Sequence, residues 1–336
     1  MLAQFSLALL AVAGPREEIA RDAGSDIEVR VDSARNQITV TVGPMSIPVM
    51  KDYSHHGAEI YVNFRWPASG WVKGYRIDVV DSAGALMPRE LLHHAGMANL
   101  DRRQLAYPLV ERLFAAGRET TPVMLPGSMG LPLDADQKMS FYYMLMNETD
   151  KVVDGARLRV TLNWIPAGTK GVKNILPLML NANGTGFGPT FDIPTGLSST
   201  TAEFTLSEGG RVRTMGGHMH DYGKEMRLED VATGKVLVRL EAKSARDGSV
   251  ESVERTNFLL RRNGLRLSAN RRYRIVAVYD NPTGVTIKGA MGLMVGAFTP
   301  DDLARWPAID ATDPVFQKEL ASLDQAQPAS VHGHQH

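Results

Sequence analysis

The stretch RTMGGHMHDYGKEMRL, Arg213 to Leu228, sets His218 and His220 one residue apart. On a strand, side chains alternate between faces, so the two imidazoles point the same way and can chelate one metal ion. Met219 turns to the other face. Gly216 and Gly217 leave room for close approach, and Asp221 offers an acceptor for an outer ring nitrogen. The plainer alternative is a pair of surface histidines. Far upstream, RELLHHAGM carries the doublet His93–His94, so four of only nine histidines fall at these two spots. Neighbouring strand residues face opposite ways, so this doublet can share a metal only at a bulge or a strand end. Otherwise one ring is buried and the other exposed. A further doublet, His55–His56 in DYSHHGAE, precedes a strand and reads as a loop.

A third element is the apolar run IKGAMGLMVGAF, with Met291 and Met294. A methionine in such a strand ordinarily packs a core. Two imidazoles and one thioether, however, form a donor set that suits copper, whose Cu(I) state accepts soft sulfur. Zinc would prefer a carboxylate or thiolate in the third place.

The elements that must hold these residues read as strands. IEVRV, QITVTV, EIYVNFRW, YRIDVV, RLRVTLNW, AEFTLS, VLVRLEA and RYRIVAVY alternate or are β-branched, and turn residues bound them. With 336 residues, 31 Gly and 18 Pro, this predicts an all-β protein of antiparallel sandwiches. Cysteine is absent while methionine numbers 16, which excludes disulfides, thiolate zinc sites, blue copper and iron–sulfur clusters. A formal net charge of zero argues against nucleic acid or an anionic membrane as partner. The first 25 residues contain an apolar run and an A-x-A site at Ala11–Ala13, which predicts a leader and export to the periplasm or outside. No segment has the length and apolarity of a transmembrane helix. The Gly, Pro and Lys of NWIPAGTKGVKNILP predict a boundary between a sandwich over 26–168 and another over 169–305. YDNPTG in the second half echoes LMNETD in the first, as two related sandwiches would. Residues 306–336 are polar, with a short helix and three histidines at the end (His332, His334, His336), and are expected to be disordered.

The linear order of His-His, H-x-H and strand Met resembles the copper type II, ascorbate-dependent monooxygenases, the family of peptidylglycine α-hydroxylating monooxygenase and dopamine β-monooxygenase. The likeness runs from about Asp52 to Pro300 and would make the chain a divergent, bacterial-type member. AEIYVNFRWP, ELLHHAGM, TTPVMLPGSMGLPL, RVRTMGGHMHDYGKEMRLED and AVYDNPTGVTIKGAMGLMVGAF carry it, in that order. It implies two tandem jelly-roll-like sandwiches with one copper in each. An oxygen-activating copper would lie on His218, His220 and Met291, with Met294 the alternative. An electron-transfer copper would lie on His93 and His94, with Met146, or Met144 on the same face, where the family has a third histidine. The chain departs from the amidating members at Gly216, where an Arg precedes H-x-H, and at Val295, where a Tyr stands. Peptide amidation is therefore not expected. The resemblance implies hydroxylation of a C–H bond of a small substrate with O2 and an external reductant such as ascorbate. The competing expectation is an exported, non-catalytic copper-binding protein on the same scaffold, for storage, delivery or sensing.

Overall fold

The computed structural model describes residues 18–21, 27–50, 59–118, 120–184, 190–258 and 264–324. The predicted strands pair into four sheets, stacked two and two as tandem β-sandwiches. In the first, the large sheet runs Glu18–Arg21, Ile27–Asp32, Gln37–Ile47, Val153–Pro166, Gly70–Val80, Met129–Leu133 and Lys173–Asn174. It faces a sheet ordered Ile60–Arg65, Lys138–Leu145, Leu92–Arg103 and Val110–Gly117. In the second sandwich, Leu176–Asn181, Ile287–Pro300, Gly210–Met219 and Thr256–Asn257 form one sheet. It faces Gly196–Thr205, Arg272–Asn281, Gly223–Asp230, Lys235–Ser244 and Val250–Val253.

Period-two alternation builds each core. Ile38, Val40 and Val42 lie directly across from Leu162, Val160 and Leu158, and all six are fully buried. The polar residues between them take the outer face. The first sheet starts at Glu18, inside the segment read as a leader; residues 1–17, with the A-x-A site, lie outside the described residues, as do His55, His56 and the histidines of the tail.

The predicted boundary is a seam rather than a free linker. Leu176 packs in the first core, while Leu178 and Leu180 pack in the second. From the other side, Leu105 and Tyr107 leave the first sandwich to enter the second core. The Tyr107 hydroxyl accepts from the Asn181 amide at 3.2 Å and lies 3.4 Å from the Asn181 carbonyl. Trp306 packs against both cores and donates its indole N–H to the Arg103 carbonyl at 3.0 Å.

The region from residue 306 corrects the expectation of a disordered tail as far as residue 324. Pro314–Asp324 is a helix, with Asp313 accepting from the Val315 and Phe316 amides at its start. Phe316, Leu320 and Leu323 recur at i, i+4 and i+7 and make one apolar stripe. That stripe covers Ala98, Leu100, Val110 and Tyr142 on the outer face of the four-stranded sheet. The stripe is short and surrounded by polar residues, so composition conceals it.

The sequence echo between the halves is a repeated structure. Asn147 and Asn281 are both fully buried and close the same turn. Asn147 donates its amide to the Ile47 and Lys151 carbonyls, and its oxygen takes the Thr149 amide and hydroxyl. Asn281 does likewise with Ile193, Val285 and Thr283. Asn147→Ala and Asn281→Ala are each expected to lower stability by about 2–3 kcal/mol, because several buried backbone groups lose their partner. Urea unfolding reads this, and an unchanged midpoint in either variant would contradict a structural role for that turn.

Candidate metal centre

Cross-strand register decides which donors can meet. The H-x-H strand Gly210–Met219 pairs with the closing strand Ile287–Pro300, His218 opposite Leu293 and Met219 opposite Gly292. Residues directly opposite share a face, so His218, Leu293 and Met291 lie on one side. Continued by one residue, the register brings His220 opposite Met291. Met294 is opposite Gly217, fully buried, and packs in the second core. The register therefore favours Met291 as the methionine beside the two histidines. Met219 is core, as the alternation predicts.

The His218 and His220 rings stand 5.3 Å apart between centroids at 84°. Two imidazoles on one metal, each with a metal–nitrogen bond near 2 Å, place their ring centres about 4.5–5.5 Å apart. The pair is thus spaced for a shared ion. Tyr279 holds this corner from beneath, its hydroxyl donating to the Met291 carbonyl. Burial raises the Tyr279 pKa, so its proton stays in place. Gly217 is required because Val253 Cγ1 lies 2.8 Å from where a Cβ would stand. The Arg255 side chain fills the equivalent space over Gly216, at 3.2 Å, and its guanidinium lies 3.5 Å from the Thr121 carbonyl of the first sandwich. The close approach that the glycines allow is thus made by Val253 and Arg255.

The upstream doublet meets the condition that adjacent histidines need. His94 is opposite Met144, but Leu92 is opposite Leu145, so His93 is the extra residue of a bulge. Both histidines are half-buried, and their rings are 4.9 Å apart at 49°. The same register makes Met144 the direct cross-strand neighbour of His94. Met146 follows with 5% exposure, its amide bonded to the Leu91 carbonyl at 2.9 Å. Of the two methionines, only Met144 is paired to a histidine.

A residue the motif reading missed is Glu59, whose carboxylate lies 2.6 Å from His94 Nε2. A carboxylate only accepts, so Nε2 donates its N–H to it, and Nδ1 is the ring nitrogen that a metal ion could take. This is how an outer carboxylate orients a ligating histidine. Burial pushes the Glu59 pKa up, but hydrogen bonds from His94 and Tyr61 outweigh it and hold the carboxyl below its usual range. Tyr142 stacks at the edge of Tyr61, and Arg112 lies over the Tyr142 ring at 5.4 Å. Burial raises Tyr142 to about 12. Arg112 pairs with Glu319 of the C-terminal helix at 2.6 Å. The only sequence signal for Glu59 is an acid directly before the strand IYVNFR.

Both donor groups open on one cavity of about 750 Å³. The first sandwich contributes Glu59, Tyr61, His94, Arg112 and Tyr142, and the second contributes His218, Met291, Leu293, Val295 and Arg255. His93 and His220 are not among the residues that line it. Among the described residues, no three side chains drawn from His, Cys, Asp and Glu cluster as a metal site. Cross-strand register sets Met291 beside His218 and Met144 beside His94, and two imidazoles with one thioether would suit copper better than zinc.

No family model matches the chain, and no curated protein matches it. Among solved structures, it is similar to that of Sulfolobus turreted icosahedral virus, at 12% identity and TM-score 0.39, over 87% of this chain and 99% of that one. It is also similar to PNGF-II, at 10% identity and TM-score 0.35, over 86% and 85%. Cowpea mosaic virus empty particles give 9% identity and TM-score 0.32, over 88% and 95%. At these values the likenesses carry no argument about this chain.

Glu59→Gln keeps a hydrogen-bonding group but removes the charge. Copper affinity at the His93–His94 site is expected to fall roughly 10–100-fold. Competition against a Cu(I) chelator reads the loss, with the His218–His220 site unaffected. Equal affinity would leave Glu59 a purely structural residue.

Proposed function

We propose that the chain is a copper-dependent monooxygenase that hydroxylates a C–H bond of a small substrate, using O2 and an external one-electron reductant such as ascorbate. On this reading it is an exported, divergent relative of the copper type II monooxygenases. The observation that carries the reading is that His94 from one sandwich and His218 with Met291 from the other line a single cleft. Bound copper would supply reductive activation of O2 and hydrogen abstraction.

The chain's own residues do the rest. His218, His220 and Met291 would hold one ion, the thioether favouring its reduced state. His93 and His94 would hold the other, with Met144 or Met146 as the soft donor and Glu59 fixing the His94 ring. Leu113, Phe114, Leu293 and Val295 give the cleft an apolar lining that excludes water and suits a hydrocarbon skeleton. Tyr61 and Tyr142 present hydroxyls whose raised pKa keeps them proton donors.

One feature favours a second reading, a copper-binding protein without turnover. The residue opposite His94 is a thioether, which stabilises Cu(I) and slows its reoxidation. Copper per chain and ascorbate-dependent O2 consumption separate the readings. The wild type is expected to bind two copper ions and consume O2. His218→Ala is expected to lose one ion, with O2 consumption falling roughly tenfold or more. Copper binding without O2 consumption would favour the second reading, and a failure to bind copper tightly would remove both.

A further inference from the structure

The cleft is not the only built cavity. The outer face of the large sheet of the first sandwich forms a second groove, of about 720 Å³. Its floor is the polar half of the alternation that builds the core. Row by row across the strands, Glu28, Thr41 and Arg159 align, then Arg30, Thr39, Thr161 and Arg76, then Gln37 and Asn163. Arg157 stands next along the same face, opposite Val80. The turn Asp81–Gly84 and the segment Pro122–Met124 form its sides.

The central strand carries the two informative residues. The Nε–H groups of Arg157 and Arg159 are sealed from solvent and have no hydrogen-bond partner among the described residues. Buried donors are almost always satisfied, so two on one strand, both from residues lining one groove, point to an acceptor that the described residues do not supply. The carboxylates nearby do not fill that role. Asp78 bonds Arg76 Nε at 2.8 Å and reaches only the Arg159 Nη2, at 3.7 Å. Asp81 spends its Oδ1 on the Ala83 and Ala85 amides. Arg157 has no ion-pair partner among the described residues. The groove lining holds Arg30, Arg76, Arg157 and Arg159 against Glu28 and Asp81, so it is net positive.

Arg157 and Arg159 are two residues apart on one face, about 7 Å between backbones, so both guanidinium forks can converge on one oxyanion. Thr39, Thr41 and Thr161 present a ladder of hydroxyls beside them. We propose that this groove is a second binding site, which takes the phosphate or carboxylate of a small polyhydroxylated molecule on Arg157 and Arg159 and its hydroxyls on the threonine ladder. Leu158, Val160 and Leu162, on the core side of the same strand, back its floor, while Tyr75, Pro122, Val123 and Met124 form a wall that it shares with the cleft.

Calorimetric titration at low salt tests it, with glucose 6-phosphate, gluconate and neutral glucose as probes. Wild-type protein is expected to bind one equivalent of at least one anionic probe, whichever is tighter identifying the oxyanion, and to bind glucose much more weakly. Arg157→Ala and Arg159→Ala are each expected to weaken binding roughly tenfold or more. Arg157→Lys, which keeps the charge without the fork, is expected to weaken it while leaving thermal unfolding unchanged. His218→Ala is expected to bind as the wild type does. The site is overturned if neither anion binds at millimolar concentration, if the arginine variants bind like the wild type, or if His218→Ala abolishes binding.

Discussion

The reciprocal exchange of side chains at the seam governs everything built above it. Tyr107 and Leu105 reach from the first sandwich into the second core, and Leu176 is held by the first core just before the chain enters the second. Tyr107 is almost completely buried with its hydroxyl set against the Asn181 backbone. Withdrawing it would open a cavity and leave polar groups unsatisfied, so the two bodies resist sliding. Trp306 adds a third tie. The cleft lined by His94 and His218 lies between the two bodies that this clamp joins. The C-terminal helix then closes the side of the cleft by way of Glu319, Ser322 and Leu323.

Within that frame, each pair of histidines reaches a shared face by a different backbone device. His218 and His220 use simple strand alternation at the end of a strand, where the chain turns through Tyr222 at positive φ. His93 and His94 need a bulge, because alternation alone would send one ring into the core. The glycines serve a different purpose: they admit Val253 and Arg255 from the neighbouring strand and turn. The proposed sites also differ in electrostatics. The upstream pair has a carboxylate on a ring nitrogen of His94, which strengthens the ring as a donor, and beside the downstream pair Tyr279 holds the Met291 backbone.

How much of this was legible depends on the range of the interaction. The strands and the two sandwiches follow from alternation, a local signal, and the common face of His218 and His220 follows in the same way. The Asn147 and Asn281 turns were visible as an echo because a buried side chain that bonds its own turn needs a fixed local spacing. The bulge at His93 was not readable, since it is set by how Met144 and Leu145 pair from another part of the chain. The same holds for Glu59, brought to His94 from 35 residues away. The choice of Met291 over Met294 came at first only from resemblance, and the pairing of Gly217 with Met294 supplies a physical reason for it. The short C-terminal helix was expected, but its docking was missed because an apolar stripe of three residues disappears in a polar composition.

The central claim is that the cleft separates two copper sites built from these side chains. Diffraction from Cu(I)-loaded crystals at the copper absorption edge addresses it most directly, because anomalous scattering locates the metal without assumptions about activity. The account predicts two peaks, one among His218, His220 and the Met291 sulfur, the other against Nδ1 of His94 with Glu59 still on Nε2. Peaks elsewhere, or a single peak away from these side chains, would contradict it.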